Sequence, residues 1–171
     1  MRTAREPGTL GIVLQVTKHA LVPLTYVGMG STTNDREHAK DLASFRAALN
    51  EDLRTGRKTV VVLDLRRATV MTTSQRWMTG LWMKEVHSLF GRTTYGTVFI
   101  IESALVRGVL STLLWVQPKG TPYAIVRDQN EAVLWALDCL DQAGVDLSVE
   151  LRPSLRVTLQ DELTRLSRDA A

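Results

Sequence analysis

Only one cysteine, Cys139, occurs among the 171 residues. A single thiol excludes a disulfide framework and a thiolate metal cluster, and at an apolar helix position it is typical of core packing. The three histidines, His19, His38 and His87, are widely separated, and no pair of them has the spacing of a metal site. The sequence therefore predicts that the protein binds no metal.

Long apolar runs and blocks of like charge are also missing. The most apolar segment, residues 104–116, contains Arg107 and is too short to cross a bilayer. The 21 Lys and Arg residues outnumber the 18 Asp and Glu residues only slightly, and they are scattered, which argues against a nucleic-acid-binding arm. The first ten residues lack the apolar stretch of a signal peptide. We therefore expect a cytoplasmic protein with no membrane span and no nucleic-acid partner.

What the sequence does contain is a regular succession of β-branched and helical segments. Alternating and β-branched runs predict strands at residues 12–16, 24–27, 59–65, 97–101 and 122–126. Apolar residues at helical spacing predict helices from near residue 35 to 55, at 74–90, from 103 to about 116, and from 128 to 143. The third strand is apolar on both faces, as buried central strands are.

This order of elements predicts an α/β fold for residues 1–144. The first two strands are expected to form an antiparallel edge hairpin, and each later strand is reached through a helix, which favours parallel pairing by right-handed crossovers. The expected architecture is therefore a mixed sheet packed against a helical layer. Residues 145–171 form a C-terminal extension with a predicted edge strand at 149–151 and a short helix at 159–167.

Three consecutive hydroxyl side chains stand where the third strand gives way to the second helix. Thr72, Thr73 and Ser74, called here the hydroxyl turn, are candidates for phosphorylation or for anion binding, because free amides and the helix dipole favour negative charge at a helix N-terminus. The alternative is that Thr73 or Ser74 simply caps the helix.

A second polar pair follows the fourth strand. Ser103 begins the third helix, and Arg107 stands one turn later among apolar neighbours. Since the carboxyl ends of parallel strands meet at one edge of a sheet, both residues are candidate anion-binding groups beside the hydroxyl turn. The alternative for Arg107 is a structural ion pair, for example with Asp128 or Glu102.

The second helix is unusually rich in large apolar side chains. Within seven residues it carries Trp77, Met78, Leu81, Trp82 and Met83, which spread over more than one helix face. Part of this set must pack on the sheet, and an exposed remainder would indicate a partner surface or an apolar ligand groove. Trp77, Trp82 and Met83 are the partner-binding candidates.

The hydroxyl turn resembles a motif of STAS domains, the family of bacterial anti-sigma-factor antagonists and related proteins. That family places Asp-Ser-Ser-Gly after its third strand and is phosphorylated on the first serine. Here the strand end at residues 62–65 is followed at the matching distance by Thr72-Thr73-Ser74-Gln75, so Thr73 stands at the phosphorylated position and Gln75 replaces the glycine. Two later segments, residues 103–115 and 130–135, resemble a STAS or Sec14-like subgroup of bacterial proteins.

The resemblance implies a non-enzymatic regulatory or scaffold module that binds a protein partner, with phosphate control at the hydroxyl turn. The Sec14-like side of the resemblance implies an alternative, a carrier of a small apolar or anionic ligand. An enzyme is the third and weakest hypothesis, because Asp64, the best isolated carboxylate, has no His or second carboxylate beside it. Arg66 and Arg67 are expected in a solvated turn. Gly28 and Gly30 lack the rest of a P-loop or dinucleotide motif, so no cofactor is expected.

The C-terminal extension is short but rich in leucine and valine. Leaving such side chains exposed forgoes roughly 1.5–3 kcal/mol of burial for each. Either the extension folds back on its own sheet or it docks on a second copy of the chain. An edge strand at residues 149–151 favours the second solution, and the sequence therefore predicts a homo-oligomer, most simply a dimer.

Overall fold

The computed structural model describes residues 15–18, 22–29, 34–68, 70–115, 121–147 and 152–169. Within these ranges five strands form one sheet: β1 (Gln15–Lys18), β2 (Leu24–Gly28), β3 (Thr59–Asp64), β4 (Thr94–Ile100) and β5 (Tyr123–Val126). The same ranges contain five helices: α1 (Asp35–Arg54), α2 (Thr73–Thr93), α3 (Ala104–Trp115), α4 (Gln129–Gln142) and α5 (Arg152–Asp169).

The strands lie in the sheet in the order in which they occur along the chain. The pairs β2–β3, β3–β4 and β4–β5 are parallel, which confirms the predicted α/β class with parallel strands joined through helices. The edge strand β1 pairs antiparallel with β2. The turn that would make this pair a hairpin, at residues 19–21, lies outside the described residues, as does the beginning of the predicted first strand.

Helices cover both faces of the sheet, whereas the sequence analysis predicted one helical layer. Because every crossover runs in the same direction along the sheet, right-handed connections place α1, α2 and α3 on the same face. Their side chains pack there with Val27, Val61 and Phe99. The opposite face, which includes Tyr26 and Val62, is covered by α4, by α5 and by Val145 and Leu147, which follow α4. A central strand that is apolar on both faces requires this double cover.

Two helices differ in length from the prediction. Helix α2 continues through Gly91, which was expected to end it, and passes directly into β4. The hydroxyls of Thr93 and Thr94 donate to the carbonyls of Leu89 and Phe90, so the last turn has its hydrogen bonds satisfied without a glycine cap. Helix α5 begins at Arg152 rather than near residue 159, with Pro153 in its first turn, where a missing N–H costs nothing.

The described part of the C-terminal extension packs on its own domain. Leu159 and Leu163 of α5 are buried in the core that α4 forms with the sheet, and the Gln129 amide donates to the Leu163 carbonyl. This is the intramolecular solution of the two considered, and it means that Leu159 and Leu163 give no reason to expect a dimer. The predicted edge strand at residues 149–151 lies outside the described residues, and the homo-oligomer stays a prediction. None of the described helices is both long and apolar enough to span a membrane.

Candidate functional site

The hydroxyl turn forms the beginning of α2. Thr72 is the N-cap: its Oγ1 accepts the backbone N–H of Gln75 at 3.1 Å, and the Gln75 side-chain Oε1 accepts the backbone N–H of Thr72 at 3.0 Å. This reciprocal capping box corrects the expectation that Thr73 or Ser74 is the cap. It also explains Gln75 at the position where the STAS motif has glycine, because glycine has no side chain to close the box.

The other two hydroxyls are exposed and are not needed for capping. Thr73 Oγ1 accepts a hydrogen bond of 3.2 Å from Nη2 of Arg76, and the side chain of Ser74 has no hydrogen-bond partner in the described part of the chain. The first turn of α2 contains no acidic residue. The dipole of this 21-residue helix is therefore not offset by a carboxylate of its own first turn, and Arg76 adds a cation beside Thr73.

His38 of α1 holds the start of α2 in place. The imidazole is only 3% exposed; its Nε2 lies 2.8 Å from Oγ1 of Thr79, and it hydrogen-bonds the backbone carbonyl of Gln75. Burial lowers the pKa of His38, although Asp41 opposes this shift. Sequence reasoning considered this histidine only as a metal ligand. Its place in the apolar repeat of Leu42, Phe45 and Leu49 was the signal that it is buried.

Beyond the hydroxyl turn, α2 presents an exposed apolar stripe. Trp77 is 67% exposed and Leu81 is 41% exposed. Thr73, Trp77 and Leu81 are spaced by four residues, so they lie one above another on the same helix face. We call these three residues the α2 stripe.

The other two partner candidates of this helix lie differently. Trp82 is half-buried, with its ring centroid 5.5 Å from that of Phe45 and 6.2 Å from that of Phe90. It therefore belongs to the packing between α1, α2 and the sheet. Met83 is also half-buried.

Ser103 and Arg107 form a separate group at the start of α3. Ser103 Oγ accepts the Val106 N–H at 3.4 Å, and Nη2 of Arg107 donates to the Ile101 carbonyl at 2.9 Å. The ion pair of Arg107 with Asp128 or Glu102 that the sequence suggested is not formed, because the guanidinium instead satisfies the carbonyl at the end of β4. Within the described residues no hydrogen bond or ion pair joins this group to the hydroxyl turn.

A charged cluster at the carboxyl end of β2 and β3 was only partly foreseen. Asp64 is 6% exposed and accepts hydrogen bonds from Tyr26 (2.8 Å) and from Nε and Nη2 of Arg66 (2.9 and 2.6 Å). Burial alone would raise the pKa of Asp64, but the bonds from Arg66 and Tyr26 outweigh it and hold that pKa below its usual range. Burial and the neighbouring Asp64 raise the pKa of Tyr26.

This cluster corrects the expectation for Arg66, which is a half-buried partner of Asp64 and not part of a solvated turn. Arg67, in contrast, is exposed as expected. The signal in the sequence was the Asp-x-Arg spacing at the end of a strand together with a tyrosine on the neighbouring strand, where Gly28 pairs with Asp64.

The strand order decides where a ligand or partner has access. In open α/β sheets small ligands enter a crevice where the strand order reverses. The described parallel strands run in sequential order without such a reversal. The exposed apolar residues of this site, Trp77 and Leu81, lie on the outer surface of α2.

Comparison with known proteins gives one structural likeness that we report. No family model and no curated protein matches the chain. The fold is similar to that of the crystal structure of an uncharacterized protein from the DUF3478 family with a SpoIIAA-like fold, from Shewanella loihica PV-4. The two share 12% sequence identity with a TM-score of 0.48, over 78% of this chain and 99% of that one. The likeness concerns the fold alone.

Proposed function

We propose that this chain is a non-enzymatic, cytoplasmic regulatory or scaffold module that binds a protein partner through the α2 stripe. One observation carries the proposal: Trp77, the largest exposed aromatic side chain among the residues whose burial is described, lies one helical turn from the exposed hydroxyl of Thr73. Tryptophan is among the residues that contribute most when an interface desolvates them. A charge added at Thr73 or Ser74 lies within reach of that contact.

The same geometry supports control by phosphate. A kinase would transfer the γ-phosphoryl group of a nucleoside triphosphate to the Thr73 or Ser74 hydroxyl oxygen, with loss of the hydroxyl proton and release of the diphosphate. The product would be stabilised by the helix dipole and by the guanidinium of Arg76, which already contacts Thr73. Thr72 is the least suited of the three hydroxyls, because its oxygen is engaged in the capping box.

The proposal that the module is not an enzyme is supported by the state of Asp64. A general base needs a free lone pair near the reacting proton. Both oxygens of this carboxylate accept hydrogen bonds from Arg66 or Tyr26, and its lowered pKa makes it a weak base.

The carrier alternative stays a prediction. A carrier needs a cavity between the sheet and its helices, and in the described residues both sheet faces are packed with buried side chains. Native mass spectrometry of gently purified protein tests it, because a reproducible extra mass would favour a bound ligand.

Site-specific photo-crosslinking tests the partner function. A photoreactive amino acid is placed at Trp77 in the full chain, and the matched control carries it at Val157, which is 57% exposed on α5, on the other side of the sheet. We expect a discrete crosslinked protein from position 77 and none from position 157. A product of about twice the 19.1 kDa chain mass would instead identify a second copy of the chain. Equal labelling from both positions would contradict the proposal.

Phosphate control is tested on the same crosslink. We expect Thr73→Glu to abolish it and Thr73→Val to preserve it, since only the former adds charge. Mass spectrometry of protein from several growth states should detect phosphate at Thr73 or Ser74. Unmodified protein in every growth state, together with unchanged crosslinking by Thr73→Glu, would contradict regulation by phosphorylation. The proposal that Trp77 contacts a protein partner would still stand.

A further inference from the structure

We propose that the partner segment that covers the α2 stripe is an acidic peptide segment that also carries large apolar side chains. This inference rests on the proposed function and adds the chemistry of the partner. Two features of α2 support it: exposed positive charges, and a glycine that the packing of the fold does not require.

The exposed surface of α2 has uncompensated positive charge. Glu85 is the only acidic residue of the helix, and its carboxylate already accepts a hydrogen bond of 2.8 Å from Nη1 of Arg46. Arg76 and Lys84 are both exposed, and neither has an acidic partner among the described residues. Two cations therefore border the stripe, and no carboxylate in the described part of the chain neutralises them.

Gly80 lies between these two cations. Arg76, Gly80 and Lys84 are spaced by four residues and form a row next to the α2 stripe. A Cβ atom added at Gly80 would meet nothing within 4 Å, so internal packing does not require glycine. Glycine inside a helix is nevertheless unfavourable relative to alanine. The missing side chain of Gly80 thus leaves a shallow notch on the surface of α2. Arg76 and Lys84 lie at its two ends, and the apolar side chains of Trp77 and Leu81 lie along one side.

The shape and charge of the notch determine which partner segment can bind there. A carboxylate seated over Gly80 can approach Arg76 and Lys84 together, and an apolar side chain of the same segment covers Trp77 and Leu81. Charge complementarity of this kind sets specificity and association rate. A negative charge at Thr73 would repel such a segment, and it would also form an ion pair with Arg76, which the segment needs. Phosphorylation of Thr73 is therefore expected to weaken binding of the partner.

A random peptide display library, selected on the full chain, tests the inference without knowledge of the partner. We expect the enriched peptides to be net negative and to carry aromatic or leucine residues. Binding of the best synthetic peptide, measured by the fluorescence anisotropy of a dye attached to the peptide, should weaken about tenfold in Lys84→Glu, the loss of an interfacial charge pair. Arg92→Glu, at the far end of the same helix, is the matched control and should leave binding unchanged.

The variant Gly80→Ala distinguishes an effect on peptide binding at the notch from an effect on the stability of the fold. The added methyl group should raise the melting temperature, because the position is open and helical, and should nevertheless weaken the peptide. Enriched peptides without acidic bias, or equal binding by Lys84→Glu and the parent chain, would overturn the inference. So would tighter binding to phosphatidylglycerol vesicles than to any selected peptide, which would indicate a membrane surface. If position 77 still crosslinks to a protein in cells, only this inference fails and the proposed function stands.

Discussion

At the scale of single residues, Asp64 is a buried carboxylate that is stabilised by hydrogen bonds and an ion pair. Its carboxylate is held by Arg66 and Tyr26, so Asp64→Asn leaves a half-buried guanidinium without its counter-charge. We expect the free energy of unfolding to fall by about 2–3 kcal/mol, at or below the lower end of the cost of breaking a fully buried pair, because Arg66 keeps some contact with solvent. Urea unfolding followed by far-UV circular dichroism measures the loss.

Two further variants control this prediction. Tyr26→Phe removes one hydrogen bond to a charged group and should cost about 1.5–2 kcal/mol. Arg54→Ala breaks the fully exposed ion pair with Glu51 and should leave the unfolding midpoint where it is. If Asp64→Asn behaves like Arg54→Ala, the cluster does not stabilise the fold.

Gly96 is a second residue whose identity the packing explains. A Cβ at this position of β4 would lie 2.7 Å from Sγ of Cys139 and 2.8 Å from Cη2 of Trp135, both on α4. We expect Gly96→Ala to destabilise the protein by about 1–3 kcal/mol, the usual cost of overpacking. Gly91→Ala, with nothing within 4 Å of the new methyl group, should not destabilise it. Thermal unfolding of the two variants decides, and a Gly96→Ala protein as stable as its parent would show that α4 shifts freely on the sheet.

At the scale of elements, one buried histidine joins α1 to α2. The pKa of His38 is lowered by burial relative to the ordinary value of 6.5, so the unfolded chain binds a proton at a higher pH than the folded one. The unfolding free energy should therefore decrease as the pH falls below about 6.5. Urea midpoints between pH 8 and pH 5 test this dependence, which His38→Gln should flatten. A variant with the same pH profile as the parent would contradict the assignment to His38.

The elements themselves were largely predictable, and their contacts were not. Apolar spacing located α1 and α4 almost to the residue, because each has an aspartate or asparagine cap and a stop near a glycine with positive φ, Gly56 or Gly144. Trp77 and Trp82 could not be told apart in the same way. They differ by five residues, or about 140° around the helix, and only the position of Phe45 on α1 shows which of the two is half-buried.

At the scale of the whole molecule, α5 is part of the core. Leu163→Ala should lower the free energy of unfolding by about 2–4 kcal/mol through a cavity beneath α5. Val157→Ala, an exposed position on the same helix, should change it by less than about 0.5 kcal/mol. Light scattering measures the molar mass of the full chain and of a chain that ends at Gly144. The shorter chain should aggregate, because without α5 part of the apolar core is exposed. Equal stability of the two point variants would contradict the packing of α5.

The sequence did not predict that helices cover the second face of the sheet, and the reason is physical. Right-handed crossovers determine the side on which α1, α2 and α3 lie, but α4 and α5 follow the last strand and are bound by no such rule. Only the apolar character of β3 on both faces indicated that some later segment must cover the other side. The Tyr26 contact of Asp64 and the Thr79 contact of His38 were missed for another reason, since each joins residues more than 35 positions apart.

Sequential strand order also has a consequence for how the chain is made. A ribosome delivers β2 to β5 and their crossover helices first, and the 43 residues after Asp128 take about 2–9 s more at typical synthesis rates. During that interval the sheet face that includes Tyr26, Val60 and Val98 has not yet received α4 and α5. Until these helices pack, the nascent chain exposes an apolar sheet face, and we expect its yield in cells to rise when chaperones that bind such surfaces are co-expressed.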